Sequence, residues 1–92
     1  MLKHEISNYR KFNIKPISPT NHRGARVKIT EPARYNDDKT KSVILSSNGE
    51  DSGQQGLDYL ISKGFKPVAR CSEYGFYTIL CDNWGENFIK LT

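Results

Sequence analysis

Strict alternation between apolar and polar residues in the first third of the chain limits its fold more than any other feature. In residues 10–18, "RKFNIKPIS", Phe12 and Ile14 alternate with polar side chains. Residues 25–31, "ARVKITE", repeat the pattern. A period of two is typical of half-buried β-strands, so we expect two strands joined as a hairpin. Their polar side chains share one predicted face, which comprises Lys11, Asn13, Lys15, Arg26, Lys28 and Thr30.

Further strands are expected along the rest of the chain. Because Pro16 cannot donate a backbone N–H, the first strand should lie at a sheet edge or end there. The β-branched run at residues 41–47 predicts a third, more central strand. Residues 65–73 and 74–82 predict a hairpin, and the second of these strands is apolar on both faces and therefore central. Residues 87–92 favour a last short strand.

One helix is expected after the polar break at residues 48–53. Ser52 is a suitable N-cap, and Gln55 three residues later completes a capping box. Gly64 suits the position after the last helical turn, and Phe65 behind it predicts a Schellman ending. Two internal glycines each weaken the helix by about 1 kcal/mol relative to alanine, so it must pack on a sheet.

The predicted order β-β-β-α-β-β indicates an α+β fold. We expect an antiparallel sheet of four to six strands with one α-helix packed on one face. A chain of 92 residues fits one compact domain spanning residues 1–92. No apolar run is long enough to span a bilayer, and the first residues lack the apolar core of a signal peptide. The sequence therefore predicts a soluble, cytoplasmic protein without a membrane partner.

Charge is unevenly distributed along the chain. The net charge of +4 combines +6 in residues 1–41 with −2 in residues 42–92. Such asymmetry favours a surface that meets an acidic partner.

Candidate residues for catalysis or metal binding are few. The two cysteines, Cys71 and Cys81, are expected to be small buried apolar residues that form no disulfide. No metal-ligand spacing is present, since His4 and His22 are remote from both cysteines. No nucleophile, metalloprotease or phosphate-loop motif occurs. We therefore expect no enzymatic activity, no metal, no cofactor and no small-molecule substrate.

A binding role has more support from the sequence. The hairpin tip adds polar and basic groups to the predicted face, and arginine forks match phosphate oxygens. The candidate residues for binding a partner or nucleic acid are Lys11, Asn13, Lys15, Asn21, His22, Arg23, Arg26 and Lys28. Aromatic residues that could stack on bases are Tyr9, Tyr35, Tyr74, Tyr77 and Trp84. The alternative is a solvated face, because strands expose long charged side chains on their wet face and basic residues on edge strands also reduce aggregation; both interpretations stay open.

The run "NIKPISPTNHRGARVKI" (residues 13–29) resembles a pattern in small proteins of phages and mobile elements, N-[IV]-K-x-[IL]-x-P-T-N-x-[RK]-G-[SA]-R-[IVY]-K. The size and layout of the chain also resemble those of phage anti-CRISPR proteins that act on the type I-F (Csy) complex. The resemblance implies a monomeric, stoichiometric inhibitor in the infected bacterial cytoplasm. Such a protein binds subunits of the crRNA-loaded complex, with crRNA as a further contact, and blocks hybridisation of target DNA. The alternative is a small basic nucleic-acid-binding module of a phage or mobile element.

Overall fold

A five-stranded antiparallel sheet carries one helix in the computed structural model, which describes residues 9–33, 38–86 and 88–92. The elements follow in chain order as β1 (Arg10–Ile17), β2 (Arg26–Glu31), β3 (Lys41–Ser46), α1 (Ser52–Ser62), β4 (Pro67–Glu73) and β5 (Phe76–Cys81). The strands lie side by side in the order β3-β2-β1-β5-β4. The predicted α+β fold and its β-β-β-α-β-β order are confirmed.

The positions of the strands agree with the predictions only in part. β1 ends at Ile17, one residue after Pro16, which meets the second of the two alternatives for this strand. It is the middle strand and not an edge strand, because it pairs with β2 on one side and β5 on the other. Pro16 is tolerated there since the pairing with β5 stops at Ile14, opposite Tyr77. β3 was expected to be central and is an edge strand, whereas β5 is an interior strand as predicted. Residues 88–92 form no strand, and residue 87 lies outside the described residues.

The core lies between the sheet and α1. Leu60 of α1 and Phe65 behind it are buried against apolar side chains from alternate strand positions. Those strand residues are Phe12, Ile14, Val27, Ile29, Ile79 and Cys81. We call this side of the sheet the helix face and the opposite side the open face. Because side chains alternate along a strand, the residues between these core positions lie on the open face.

Both ends of α1 are held by local hydrogen bonds. Asp51, not Ser52, is the N-cap, and its Oδ2 accepts from the Gln54 N–H at 3.1 Å. The predicted Schellman ending is confirmed, since the Phe65 N–H donates to the Leu60 carbonyl at 3.0 Å. Gly64 adopts the positive φ of 101° that this ending requires.

Gln55 does not complete a capping box but points inward from α1. Its Nε2 donates to the Ser46 carbonyl at 2.8 Å, and its Oε1 accepts from the Asn48 N–H at 3.2 Å. The side chain thereby ties the first turn of the helix to the end of β3.

Two glycines let α1 approach the sheet closely. A Cβ placed on Gly56 would lie 2.4 Å from Cδ1 of Ile14, and one on Gly53 would lie 2.9 Å from Cδ2 of Tyr77. Both distances are shorter than nonbonded carbon atoms allow, so only glycine fits unless the sheet side chains move. The residues that weaken the isolated helix are therefore the ones that allow it to pack.

A buried ion pair joins β1, β2 and the C-terminal segment. Arg10 is 2% exposed and Glu31 is 0% exposed. Arg10 Nε and Nη2 donate to the two carboxylate oxygens of Glu31 at 2.7 and 2.8 Å, while Nη1 donates to the carbonyls of Glu86 and Ile89 at 3.1 and 2.8 Å. The guanidinium carbon also lies 4.7 Å from the ring centroid of Phe65. The charge of Arg10 is thus used inside the fold and is not part of the surface.

We expect Gly56→Ala to lower the free energy of unfolding by about 1–2 kcal/mol. Overpacking a core costs about 1–3 kcal/mol, whereas the gain in helix propensity is at most about 1 kcal/mol. Urea denaturation measures the difference. Gly85→Ala is the control, because no atom lies within 4 Å of the added methyl group and the backbone needs no positive φ. A Gly56→Ala variant as stable as the unsubstituted protein would contradict the close-approach argument.

Loss of either partner of the buried Arg10–Glu31 ion pair should destabilise the fold. Arg10→Met and Glu31→Leu should each lower the free energy of unfolding by about 3–5 kcal/mol, because each leaves an unpaired charge in the core. The double variant should lose much less than the sum, since no buried charge then remains. It should not recover fully, because two backbone carbonyls lose their donor. Additive losses in a double-mutant cycle would show that the two side chains are independent.

Candidate functional site

The basic and polar side chains of β1 and β2 lie together on the open face. Lys15 and Lys28 are directly opposite each other in the β1–β2 register, and Asn13 is opposite Thr30. Arg26 lies at the end of the same ladder, opposite Ile17. Lys11 is on the other side of Asn13 and pairs with Leu80 of β5. The structure therefore places on one surface the six residues whose alternation predicted a shared face.

None of these cations has a carboxylate partner within residues 9–33, 38–86 and 88–92. Among the residues that the structure describes, the ion pairs involve other basic residues: Arg10, Lys41, Lys66 and Arg70. Lys11 and Lys15 are exposed, and Lys28 and Arg26 are half-buried. Like charges directly opposite on neighbouring strands are destabilising, so the Lys15–Lys28 pair opposes folding unless an anion binds.

Arg26 extends this face into a wide depression of about 800 Å³ at the end of β2 and β3. Arg23, Ser46 and Ser47 also line this depression. The Nε of Arg26 is buried and has no hydrogen-bond partner among the described residues. A buried guanidinium N–H without an acceptor is unfavourable, so a change of side-chain rotamer that brought Arg26 to a phosphate oxygen would relieve this cost.

The tip between β1 and β2 lies beyond the paired strands. Thr20 closes the loop, because its N–H donates to the Arg23 carbonyl at 2.8 Å and its hydroxyl accepts from the Arg23 N–H at 3.2 Å. Asn21, His22 and Arg23 are all exposed. Of these predicted site residues, only Arg23 lines the depression with Arg26.

Most of the predicted stacking aromatics lie away from the open face. Tyr77 is on the helix face, where its hydroxyl donates to Asp51 Oδ1 at 3.0 Å, so it does not lie beside the cations of the open face. Tyr74 is fully exposed in the β4–β5 turn. Tyr9 precedes β1, Trp84 follows β5, and Tyr35 falls outside the described residues.

The Asp51 carboxyl receives several donors at the start of α1. The hydroxyl of Tyr77, the N–H of Gln54 and the guanidinium of Arg70 together lower the pKa of Asp51 below its ordinary value, although burial opposes the shift. The ring of Tyr77 also lies 4.6 Å below the guanidinium carbon of Arg70. Tyr77 and Arg70 therefore serve the helix cap rather than a binding face.

Phe76 is the site residue that sequence reasoning missed. It lies on the open face of β5 and, with Asn13, Lys15, Lys28 and Thr30, lines a shallow depression of about 270 Å³. The pattern of β5 places Phe76 on the same side as Thr78 and Leu80, but both sides of that strand are apolar. Only the pairing of β5 with β1 decides that Phe76 meets the lysines, and this long-range pairing is not encoded in local periodicity.

Neither cysteine is suited to nucleophilic catalysis. Cys71 was expected to be buried and is exposed. Its Sγ donates to Glu73 Oε1 at 3.3 Å, and this hydrogen bond, with the carboxylate charge, raises the pKa of Cys71. Burial raises the pKa of Cys81 to about 12. The thiolate is the reactive form, so both groups are held in the unreactive state at neutral pH. Both cysteines are free. Cys71 is opposite Thr78 and Cys81 is opposite Pro67 in the β4–β5 register, so the two thiols lie apart along the ladder.

Two further features bear on the kind of site. Within the described ranges, no group of three or more His, Cys, Asp or Glu side chains is placed to hold a metal ion. No helix in the described part of the chain is long and apolar enough to cross a membrane.

Comparison with known proteins gives no match: no family model, no curated protein and no solved structure is significantly similar to this chain. The chemistry of the open face is therefore the feature that indicates what kind of partner this chain binds.

We expect Lys28→Thr to leave the free energy of unfolding unchanged or to raise it by up to about 0.5 kcal/mol. The substitution removes the repulsion with Lys15, and threonine is a good strand former. Salt screens the repulsion, so added salt should stabilise the unsubstituted protein more than the variant. Urea denaturation at low and high salt measures both effects.

Lys11→Thr is the matched control for this prediction. Lys11 is in the same sheet and on the same face, but its β5 neighbour is Leu80 rather than a cation. Its replacement should change the salt dependence less. A loss of more than about 1 kcal/mol in Lys28→Thr would mean that the lysine stem is part of the packing instead.

Proposed function

We propose that this chain is a non-catalytic binding protein that contacts the phosphates of a nucleic acid through its open face. The observation that carries the proposal is the opposed Lys15–Lys28 pair, which continues to Lys11 and Arg26 without a carboxylate partner among the described residues. A phosphate backbone placed along this face converts a repulsive arrangement into a favourable one.

The sheet provides a rigid base for such contacts. The opposite side of β1 and β2 is fixed by Phe12, Ile14, Val27 and Ile29, all of which are buried. The cations therefore have fixed backbone positions before a ligand arrives, which reduces the entropy lost on binding. Arginine adds a planar fork that matches two phosphate oxygens.

The position of the strands weakens the main alternative. Charges on an edge strand can be explained as protection against aggregation. β1 and β2 are interior strands, so the lysines that they carry do not guard an edge. This removes edge protection as a reason for the charges and leaves the alternative that they are the ordinary charged side chains of a solvated sheet face.

The resemblance supplies a more specific form of the proposal, in which the nucleic acid is the crRNA of a type I-F complex. Four polar residues of the motif that carries the resemblance lie on the open face: Asn13, Lys15, Arg26 and Lys28. Residues 19–24 of the motif form the tip beyond the paired strands. Bound there, a monomer of this protein would contact the crRNA and neighbouring subunits and keep target DNA from hybridising. The free-standing nucleic-acid module of a phage or mobile element is the alternative form.

Fluorescence anisotropy with a labelled single-stranded oligoribonucleotide tests the phosphate contact. If four cations each engage a phosphate of a single strand, log K should fall with log salt at a slope of about −3. Lys15→Ala combined with Lys28→Ala should reduce the slope to about −1.5. The control pair is Lys63→Ala with Lys90→Ala, because both lysines are exposed and neither belongs to the open face. Lack of binding at low salt would refute the proposal.

Size-exclusion chromatography with the crRNA-loaded type I-F complex separates the two forms. Co-elution that is lost in the Lys15–Lys28 double variant would support the anti-CRISPR form. Binding of free oligoribonucleotides without co-elution would support the general module instead.

A further inference from the structure

Phe76 gives the open face an apolar ring among its cations. The ring is half-buried and, among the described residues, is not part of the core cluster or of the side chains packed against it. It stands just past the end of the β1–β5 pairing, beside Lys15 and Lys28. An aromatic ring that the core does not use, flanked by positive charge, is the arrangement that single-stranded nucleic-acid sites use for stacking a base.

We propose that the depression around Phe76 is a subsite for one unpaired base of single-stranded RNA. The base stacks on the Phe76 ring, and the ammonium groups of Lys15 and Lys28 hold the phosphates on either side of it. This inference rests on the proposed function and assigns the chemical class of its ligand.

The requirement for an unpaired base follows from the ring. Bases within a duplex stack on each other and offer only their edges in the grooves, so they cannot lie on a protein side chain. An acidic protein surface would satisfy the lysines but would leave the ring without a partner of its own.

The neighbouring polar groups favour ribose over deoxyribose. The Thr78 hydroxyl donates to Asn13 Oδ1 at 3.3 Å, which fixes the side-chain amide and leaves its Nδ2 available as a donor. The Thr30 hydroxyl lies opposite Asn13 in the register and lines the same depression. A neutral donor and a hydroxyl beside a stacked base suit the ribose 2′-OH, which both donates and accepts hydrogen bonds.

Anisotropy titrations with matched probes test the subsite. The probes are a labelled oligouridylate, an abasic ribose-phosphate oligomer of the same length, and the corresponding oligodeoxyuridylate. The protein variants are Phe76→Leu, which keeps an apolar side chain, and Phe76→Tyr, which keeps the ring. Urea denaturation of each variant shows whether it is folded.

Phe76→Leu should weaken oligouridylate binding about five-fold to one-hundred-fold, and Phe76→Tyr should bind within about two-fold of the unsubstituted protein. The abasic oligomer should bind weakly and equally to all three proteins. The deoxy oligomer should bind less tightly than oligouridylate.

The subsite is refuted if Phe76→Leu binds oligouridylate as tightly as Phe76→Tyr, or if the abasic oligomer binds as well as oligouridylate. Equal affinity for the deoxy oligomer would overturn the assignment to RNA. Tighter binding of an acidic peptide than of oligouridylate would identify a protein partner instead. If none of the oligomers binds at low salt, the proposed function itself fails, which is a different result from loss of base dependence.

Discussion

The buried pair of Arg10 and Glu31 is the contact on which the rest of the structure depends. It joins the middle strand to its neighbour, and the remaining guanidinium N–H groups hold the C-terminal segment through the carbonyls of Glu86 and Ile89. The hydrophobic core of a small domain is modest. The ion pair, which is hydrogen-bonded and packs against the Phe65 ring, therefore also helps to determine which segments of the chain pack together. Because Glu31 neutralises Arg10 inside the fold, this arginine adds no charge to the surface that a partner would meet.

One face of β1 packs in the hydrophobic core, and the other carries the exposed charges. Even-numbered positions such as Phe12 and Ile14 face α1, where glycines allow the helix to approach to van der Waals contact. Odd-numbered positions such as Lys15 face solvent, opposite Lys28. The repulsion between Lys15 and Lys28 on one face is tolerated because apolar packing on the other face holds the two strands together. Stability and binding are thus separable by substitution at adjacent residues.

Local patterns predicted much of this arrangement, and long-range pairing accounts for what they missed. Alternation identified the basic face, and the Gly64–Phe65 pair identified the end of the helix, because both signals lie within a few residues. Strand order is not local, so Pro16 indicated where β1 ends but could not decide whether β1 lies at an edge or in the middle of the sheet. The proximity of Phe76 to Lys15 also depends on strand order, which local patterns do not reveal. At the helix start, two adjacent residues can each cap, and sequence alone favoured Ser52 over Asp51.

The pairing of β1 with β5 has a consequence for how the molecule forms. Arg10 is opposite Cys81 and Ile14 is opposite Tyr77, so the central ladder joins segments more than sixty residues apart in the chain. Contacts of such high sequence separation form late, because the loop between them must be closed first. The depression around Phe76 spans this ladder. The complete surface can therefore exist only after the β4–β5 hairpin has been synthesised and has docked on β1.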